Sequence, residues 1–201
     1  MNNSFFAYLS NSHPVTIFVL GWLSLYFILT FTIFIGRYLY LSKWKNREQD
    51  SLEKMLLGAK YPKNSSILSK FVSQNISYSL LLVCKNVAEK NVTVGLSWLS
   101  IVASTSPFIG LFGTIVSILE TFGKLGQTSS ASLAIIAPAI SEALVATAGG
   151  IFVAIPAYTF HIVLRRKGYD VIAYIGRQID LMLAESNKYA KEQVLNGDRL
   201  G

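Results

Sequence analysis

Residues 133–157 read LAIIAPAISEALVATAGGIFVAIPA, and the apolar run continues to Leu164 before Arg165, Arg166 and Lys167 end it. A helix that crosses a bilayer needs about 20 apolar residues, which this stretch exceeds. A plain anchor would be built of Leu, Ile and Val. This one carries Gly, Ala, Ser and Thr at close spacing, the composition that lets helix backbones approach where lipid supplies no hydrophobic drive to associate. Ala146, Gly150 and Ala154 stand four apart and predict a small-residue ridge, with Gly149 beside it. Pro138 and Pro156 each remove one backbone donor, which kinks a helix or marks its first turn.

Tight packing does not account for Glu142, the one acid in the run. It follows Leu133 by nine residues, roughly 14 Å of helix, near the middle of a hydrocarbon core about 30 Å thick. An acid at that depth costs about 2.5–3.5 kcal/mol on insertion scales, so it must face protein or water, and such residues mark ion and proton pathways. Thr147 lies five residues on, about 140° around the helix. Its hydroxyl can line a water path to the carboxyl or simply bond the carbonyl one turn back.

Upstream, residues 103–114 read ASTSPFIGLFGT within a second uncharged stretch, Leu96 to Leu119, followed by Glu120. Pro107, Gly110 and Gly113 give this span the same close-packing character, and Thr114 supplies a second hydroxyl. Glu120, at the outer end, reads as an interfacial acid. The first stretch, Val15 to Gly36, is of the Leu/Ile/Val/Phe kind and reads as a permanent anchor. No Lys or Arg precedes it, and it is longer than the 7–15 residues of a signal-peptide core. Trp22 and Tyr26 fall in its outer half, and Tyr38 and Tyr40 at its inner edge.

Basic residues set the orientation. Ten of them, from Arg37 to Lys90, lie between the first and second stretches, and three follow the third; the loop between the second and third has only Lys124. The positive-inside rule therefore predicts residues 1–14 outside, a span at 15–36, a cytoplasmic segment at 37–95, a span at 96–122, an outer turn at 123–132, a span at 133–164 and a cytoplasmic tail at 165–201. Residues 37–57 read as a charged continuation of the first helix, broken by Pro62 and Asn64. From Ser66 to Val94, Ile67, Leu68, Phe71, Val72, Ile76, Leu80 and Val83 recur at helical steps. Val171, Ile175, Ile179, Met182 and Leu183 form another stripe that carries the third helix into the cytoplasm. The last dozen residues read as frayed. These stripes serve packing within one chain or between identical chains.

The whole composition agrees. Of 201 residues, 52% are hydrophobic and 14% charged, against about 25% charged in soluble domains. The formal charge of +7 is accounted for by cytoplasmic ends and requires no nucleic acid. Cys84 alone excludes an internal disulfide and reads as a small core residue, and with only His13 and His161 no Cys/His metal cluster can form. His161 reads as a snorkelling or capping residue. Nothing suggests a cofactor, and no phosphate-binding GxxxxGK[ST] loop is present. The fold class is an all-α membrane protein of three transmembrane helices with long cytoplasmic helical extensions.

The strings ASTSPFIGLFGT (103–114) and LAIIAPAISEALVATAGGIFVAIPA (133–157) resemble the ExbB/TolQ/MotA family of proton-channel subunits, its ExbB/TolQ branch in particular. The resemblance implies a homopentamer in the bacterial inner membrane, whose second and third spans line a pore. The pore would hold an ExbD/TolR-like partner, and proton flow would drive a TonB- or TolA-like force transmitter toward the outer membrane. By motif, Thr114 matches the threonine of GLxGT, while Glu142 and Thr147 match the glutamate and threonine of the EAL-xTA string. After GLFGT the family commonly has Trp-Gly, where this chain has Val116 and Ser117. A non-conducting membrane scaffold is the alternative, and an intramembrane serine protease using His161 a remote one. The Ton and Tol systems are not distinguished at this level.

Overall fold

The computed structural model describes residues 14–59, 61–70, 78–125 and 133–197. Four α-helices dominate: α1 (Pro14–Leu56), α2 (Tyr78–Thr93), α3 (Leu96–Leu125) and α4 (Leu133–Gly197), with a 3-10 turn at Leu68–Lys70 between α1 and α2. No strand occurs among the described residues. Three helical stretches are long and apolar enough to cross a membrane, so the chain is a three-span all-α membrane protein by length and composition. Within their most apolar windows only 17%, 28% and 28% of residues are buried inside the chain. Most of that surface is left to lipid or to other subunits.

The chain divides into two compact units. One comprises the residues up to Ile35 with Gly95–Ile162, the other Gly36–Val94 with Val163–Gly201. The first holds most of each apolar span. Val19 and Leu23 of α1, Val102 of α3, and Ala146, Val153 and Ala157 of α4 form its core. Aromatic rings join α1 to α4 along the same unit: Phe27 stacks on Phe152 at 5.6 Å, and Phe34 on Phe160 at 3.8 Å. Thr16 and Ser117, both buried in apolar helices, satisfy each other with a 3.0 Å hydrogen bond between α1 and α3.

The second unit is organised around a buried acid that the hydrophobic pattern does not announce. Glu48 is fully buried. Its Oε1 accepts from the Trp44 indole N–H (3.0 Å) and the Ile67 backbone N–H (2.9 Å). Its Oε2 accepts from Ser66 Oγ (2.6 Å) and Gln178 Nε2 (3.0 Å). Gln178 also donates to the Glu48 carbonyl, and its own Oε1 accepts from Ser51 Oγ at 3.0 Å. The network thus ties α1, the turn after it and α4 together with every oxygen of the carboxylate engaged, as a buried charge requires. Gln178→Leu leaves Glu48 and Ser51 short of partners. It is expected to destabilise the protein by about 1–3 kcal/mol, read as a lowered unfolding temperature in detergent; an unchanged temperature would show that the network contributes nothing net.

Gly58 (φ 102°) follows α1, and Gly95 (φ 81°) separates α2 from α3; both occupy left-handed backbone that side chains disfavour. Arg37 donates to the carbonyls of Asn91 (2.7 Å) and Val92 (3.1 Å), placing a cation on the last turn of α2, where the helix dipole favours it. Lys45 pairs with Asp170 at 2.7 Å, and that bond raises the lysine's pKa above its ordinary value. Burial, and to a lesser degree the Glu48 carboxylate, pushes the Cys84 thiol up to about 11. Cys84 is a fully buried core residue with little thiolate at neutral pH.

Three sequence expectations are corrected. The stripe drawn from Ser66 does not begin a helix there: α2 starts at Tyr78, after the 3-10 turn, while Phe71, Val72 and Ile76 lie outside the described residues. The buried face of α2 is Leu81, Cys84, Ala88 and Val92, and Val83 is exposed. Alanine and cysteine, small enough for a close helix contact, set this register, whereas the larger Val83 had suggested another. At the other end, helix persists to Gly197 where fraying was expected, and residues 198–201 lie outside the described residues. α3 runs to Leu125, into the segment expected as the outer turn. Residues 126–132 and 1–13, which include parts of the expected outer turn and outer N-terminus, lie outside the described residues.

Candidate functional site

The candidate site lies on the seam between α3 and α4. Ser106, Gly110 and Thr114 of α3 meet Gly150, Ala146–Thr147 and Ala143 of α4 in reverse order, so the two helices run antiparallel. The approach is as close as backbones allow. A Cβ on Gly110 would lie 2.7 Å from the Ala146 carbonyl oxygen, and one on Gly150 would lie 2.5 Å from that of Ser106. The Cα atoms of the two glycines are themselves the next neighbours, 3.1 Å from each such Cβ. Gly113 packs against Ala146 and Val19, with a Cβ there 3.2 Å from each, whereas Gly149 would meet only Leu20 and Leu23 at ordinary contact distance.

The buried face of α4 runs Ala143, Ala146, Gly150, Val153, Ala157, at alternating steps of three and four. Ala154, placed on the ridge by its four-residue spacing, is only half-buried. A straight i, i+4 row drifts around a helix of 3.6 residues per turn, and the alternating row does not. Pro107 and Pro156 are half-buried inside α3 and α4, and Pro138 is exposed near the start of α4.

Because the seam is so narrow, two hydroxyls reach across it. Thr114 of α3 donates to the carbonyl of Ala143 on α4 (3.0 Å), and Thr147 of α4 donates to the carbonyl of Gly110 on α3 (3.4 Å). The two hydroxyls also hydrogen-bond each other. Gly110's carbonyl lies 3.3 Å from Thr114 Oγ1 as well. Each hydroxyl carries one proton and can both donate and accept. The pair therefore has two orders: Thr147 to Thr114 to the Ala143 carbonyl, or Thr114 to Thr147 to the Gly110 carbonyl. Turning both hydroxyls exchanges one for the other. Such a pair can pass hydrogen-bond polarity between two ends without moving a heavy atom. The cross-helix bonds and the one-turn-back bond of Thr114 share the pair's two protons and therefore alternate.

Glu142 is half-buried and immediately precedes Ala143, the acceptor of Thr114. Glu120 is half-buried on α3. His161 holds the Leu96 carbonyl at 3.1 Å through Nδ1; since a carbonyl only accepts, that nitrogen carries the proton. The bond holds the imidazole at the start of α3. Among the described residues no cluster of three metal-ligating side chains occurs. Sequence reasoning did not anticipate the mutual threonine bond, the Thr16–Ser117 pair, or the Glu48 network. A signal for the last exists: Glu48 interrupts the buried row Leu41, Trp44, Leu52, Met55, and Gln178 interrupts Val171, Ile175, Met182.

Comparison with known proteins decides the family. The model of the MotA/TolQ/ExbB proton channel family matches residues 65–176, more than half of the chain. This chain belongs to that family. A Helicobacter pylori biopolymer transport protein named ExbB-like 1 is 43% identical over 185 residues, covering 90% of this chain and 98% of that protein. Biopolymer transport protein ExbB of Pseudomonas putida is 35% identical over 142 residues, 65% of this chain and 41% of its own length. The Tol-Pal system protein TolQ of Pseudomonas aeruginosa is 49% identical over 69 residues, 34% of this chain and 30% of its own. Membership in a proton-channel family supports a transport role driven by the proton motive force for this multi-pass membrane protein. It is not a family of known enzymes.

Proposed function

We propose that this chain is an ExbB-type subunit of an inner-membrane complex that turns the proton motive force into work on the outer membrane. Several copies, five by resemblance, surround a pore that holds the helices of an ExbD/TolR-like partner, and the force passes to a TonB- or TolA-like transmitter. Glu142 exchanges protons, and Thr147 and Thr114 orient the hydrogen bonds beside it. The observation that carries this reading is the threonine pair on a glycine-closed seam, one of whose acceptors, the Ala143 carbonyl, belongs to the residue after the single acid of α4's apolar run. The sparse burial of the apolar windows supports assembly with further subunits. The basic residues of 37–95 and 165–167 support a periplasmic N-terminus and a cytoplasmic C-terminus.

Energy is sufficient. One charge crossing 100 mV releases about 2.3 kcal/mol, enough to bias a conformational step tens-fold. The Ton reading is preferred over the Tol reading because the ExbB-like relative matches over 98% of its length and TolQ over 30%. Co-expression of the chain with an ExbD-like or a TolR-like partner, followed by purification through the partner, tests the choice. Stable assembly with the TolR-like partner alone would reverse it.

In the reconstituted complex, Thr114→Ala with Thr147→Ala is expected to keep assembly and to lower proton flux about tenfold or more, the scale of losing positioned proton-transfer groups. Each alanine removes the hydroxyl without placing a methyl in the narrow gap that the hydrogen bond spans. Flux equal to wild type would remove the threonines from the pathway.

A further inference from the structure

A cavity of about 340 Å³ in the second unit has the composition of an anion site. That volume is at the lower end of the range of small-ligand pockets, roughly 300–1,000 Å³. Lys43 and Arg47, four residues apart on α1, line it together with Tyr40, Trp44, Ser65 and Asn91. Both cations are exposed. Neither makes a hydrogen bond or ion pair with any described residue, while Asp50 is paired with Lys63 and Lys54, and Asp170 with Lys45. Both oxygens of Glu48 are engaged by four donors.

The walls are already fixed. Trp44 is held by its indole bond to Glu48, and the Ile67 N–H, from the loop that also lines the cavity, by the same carboxylate. Arg37 clamps the Asn91 carbonyl and lies 5.1 Å over the Tyr40 ring. A ligand entering here meets walls that are already held and has the Lys43 and Arg47 side chains left to order. The Ser65 hydroxyl and the Tyr40 phenol add neutral donors to the two cations, a set suited to phosphate oxygens.

Position along α1 selects the source of that phosphate. Lys43 and Arg47 follow Gly36, the last residue of the first apolar stretch, by seven and eleven residues, roughly 10 and 16 Å of helix, and long helical side chains lean back toward the N-terminus, here toward the bilayer. The headgroup layer on each side of the hydrocarbon is about 5–7 Å deep, within reach of a lysine stem. Tyr and Trp favour that layer. We propose that the cavity seats the phosphate of an anionic phospholipid, with Lys43 and Arg47 as its cationic partners. The site rests on α1 leaving the bilayer near Gly36 and is independent of proton conduction.

The full chain, purified in detergent, is titrated with phosphatidylglycerol or phosphatidylcholine, and bound lipid is counted by native mass spectrometry. Wild type is expected to retain phosphatidylglycerol preferentially. Lys43→Gln with Arg47→Gln should lower its retention roughly tenfold or more, whereas Arg165→Gln with Arg166→Gln, an equal charge loss beside the membrane, should not. Ser65→Trp, which fills the cavity and leaves charge unchanged, should match the first variant. Equal retention of the two lipids, equal loss from the two charge pairs, or full retention by Ser65→Trp would each overturn the site. Displacement of the lipid by millimolar inorganic phosphate would overturn the lipid assignment in favour of a soluble phosphate. A change of oligomeric mass with unchanged lipid would overturn it in favour of a second copy of the chain. None of these outcomes bears on proton flux, so failure here leaves the proposed function standing.

Discussion

Glu142→Gln is expected to insert, fold and assemble as wild type does and to lose proton-driven function by on the order of 100-fold, within the range seen when a positioned proton-transfer group is removed. Glutamine keeps the size and hydrogen-bonding reach of glutamate but neither ionises nor carries a proton across pH 4–10. The half-buried position of Glu142, next to the carbonyl that takes the Thr114 hydrogen bond, tolerates that exchange sterically. Removing an acid from an apolar helix also lowers the cost of insertion, so loss of protein from the membrane is not expected. The measurement is proton uptake by liposomes holding the chain and its partner, alongside gel-filtration mass of the complex. Wild-type uptake by the glutamine variant would end the assignment and leave a structural scaffold as the better reading.

The second large effect is steric. Gly150→Ala places a methyl 2.5 Å from the Ser106 carbonyl oxygen and 3.1 Å from the Gly110 Cα. These are backbone atoms, so no side-chain rotation relieves the clash and α3 must move off α4. Overpacking of this kind costs about 3 kcal/mol. It would also pull apart the Thr114–Thr147 pair, whose bonds depend on the same approach. Gly149→Ala, one residue away, meets only leucine side-chain ends at 3.4 and 3.6 Å, and alanine gains about 1 kcal/mol of helix propensity over glycine. The pair of variants should therefore move in opposite directions: Gly150→Ala unfolds at lower temperature and conducts poorly, and Gly149→Ala is neutral or stabilised. Equal behaviour would mean that the seam is looser than drawn.

The two glycines illustrate what a one-dimensional pattern can and cannot carry. Adjacent in sequence and alike in composition, they differ because one faces the α3 backbone and the other faces leucine tips. Small-residue spacing identified α4 as a packing helix, but the row it suggested, through Ala154, departs from the buried row through Val153 and Ala157. The α2 register was misjudged for a related reason. Hydrophobicity selected Val83, while the close contact in the second unit selected Cys84 and Ala88. Glu48 was passed over because charge reads as surface until four donors from two other segments and its own helix are brought to it.

By itself the sequence determined the helical class, three apolar stretches, the asymmetry of basic residues, the isolation of Glu142 and the motif strings of the family. Each of these depends on composition or on order along the chain, and the cost of placing charge in hydrocarbon makes such signals strong. Only the tertiary structure decided which glycines touch, that Thr114 and Thr147 bond each other across the seam, and that Glu48 is held in a buried network. Those depend on which faces of separate helices meet, and helix faces are chosen by the close fit of many small contacts that no single helix contains.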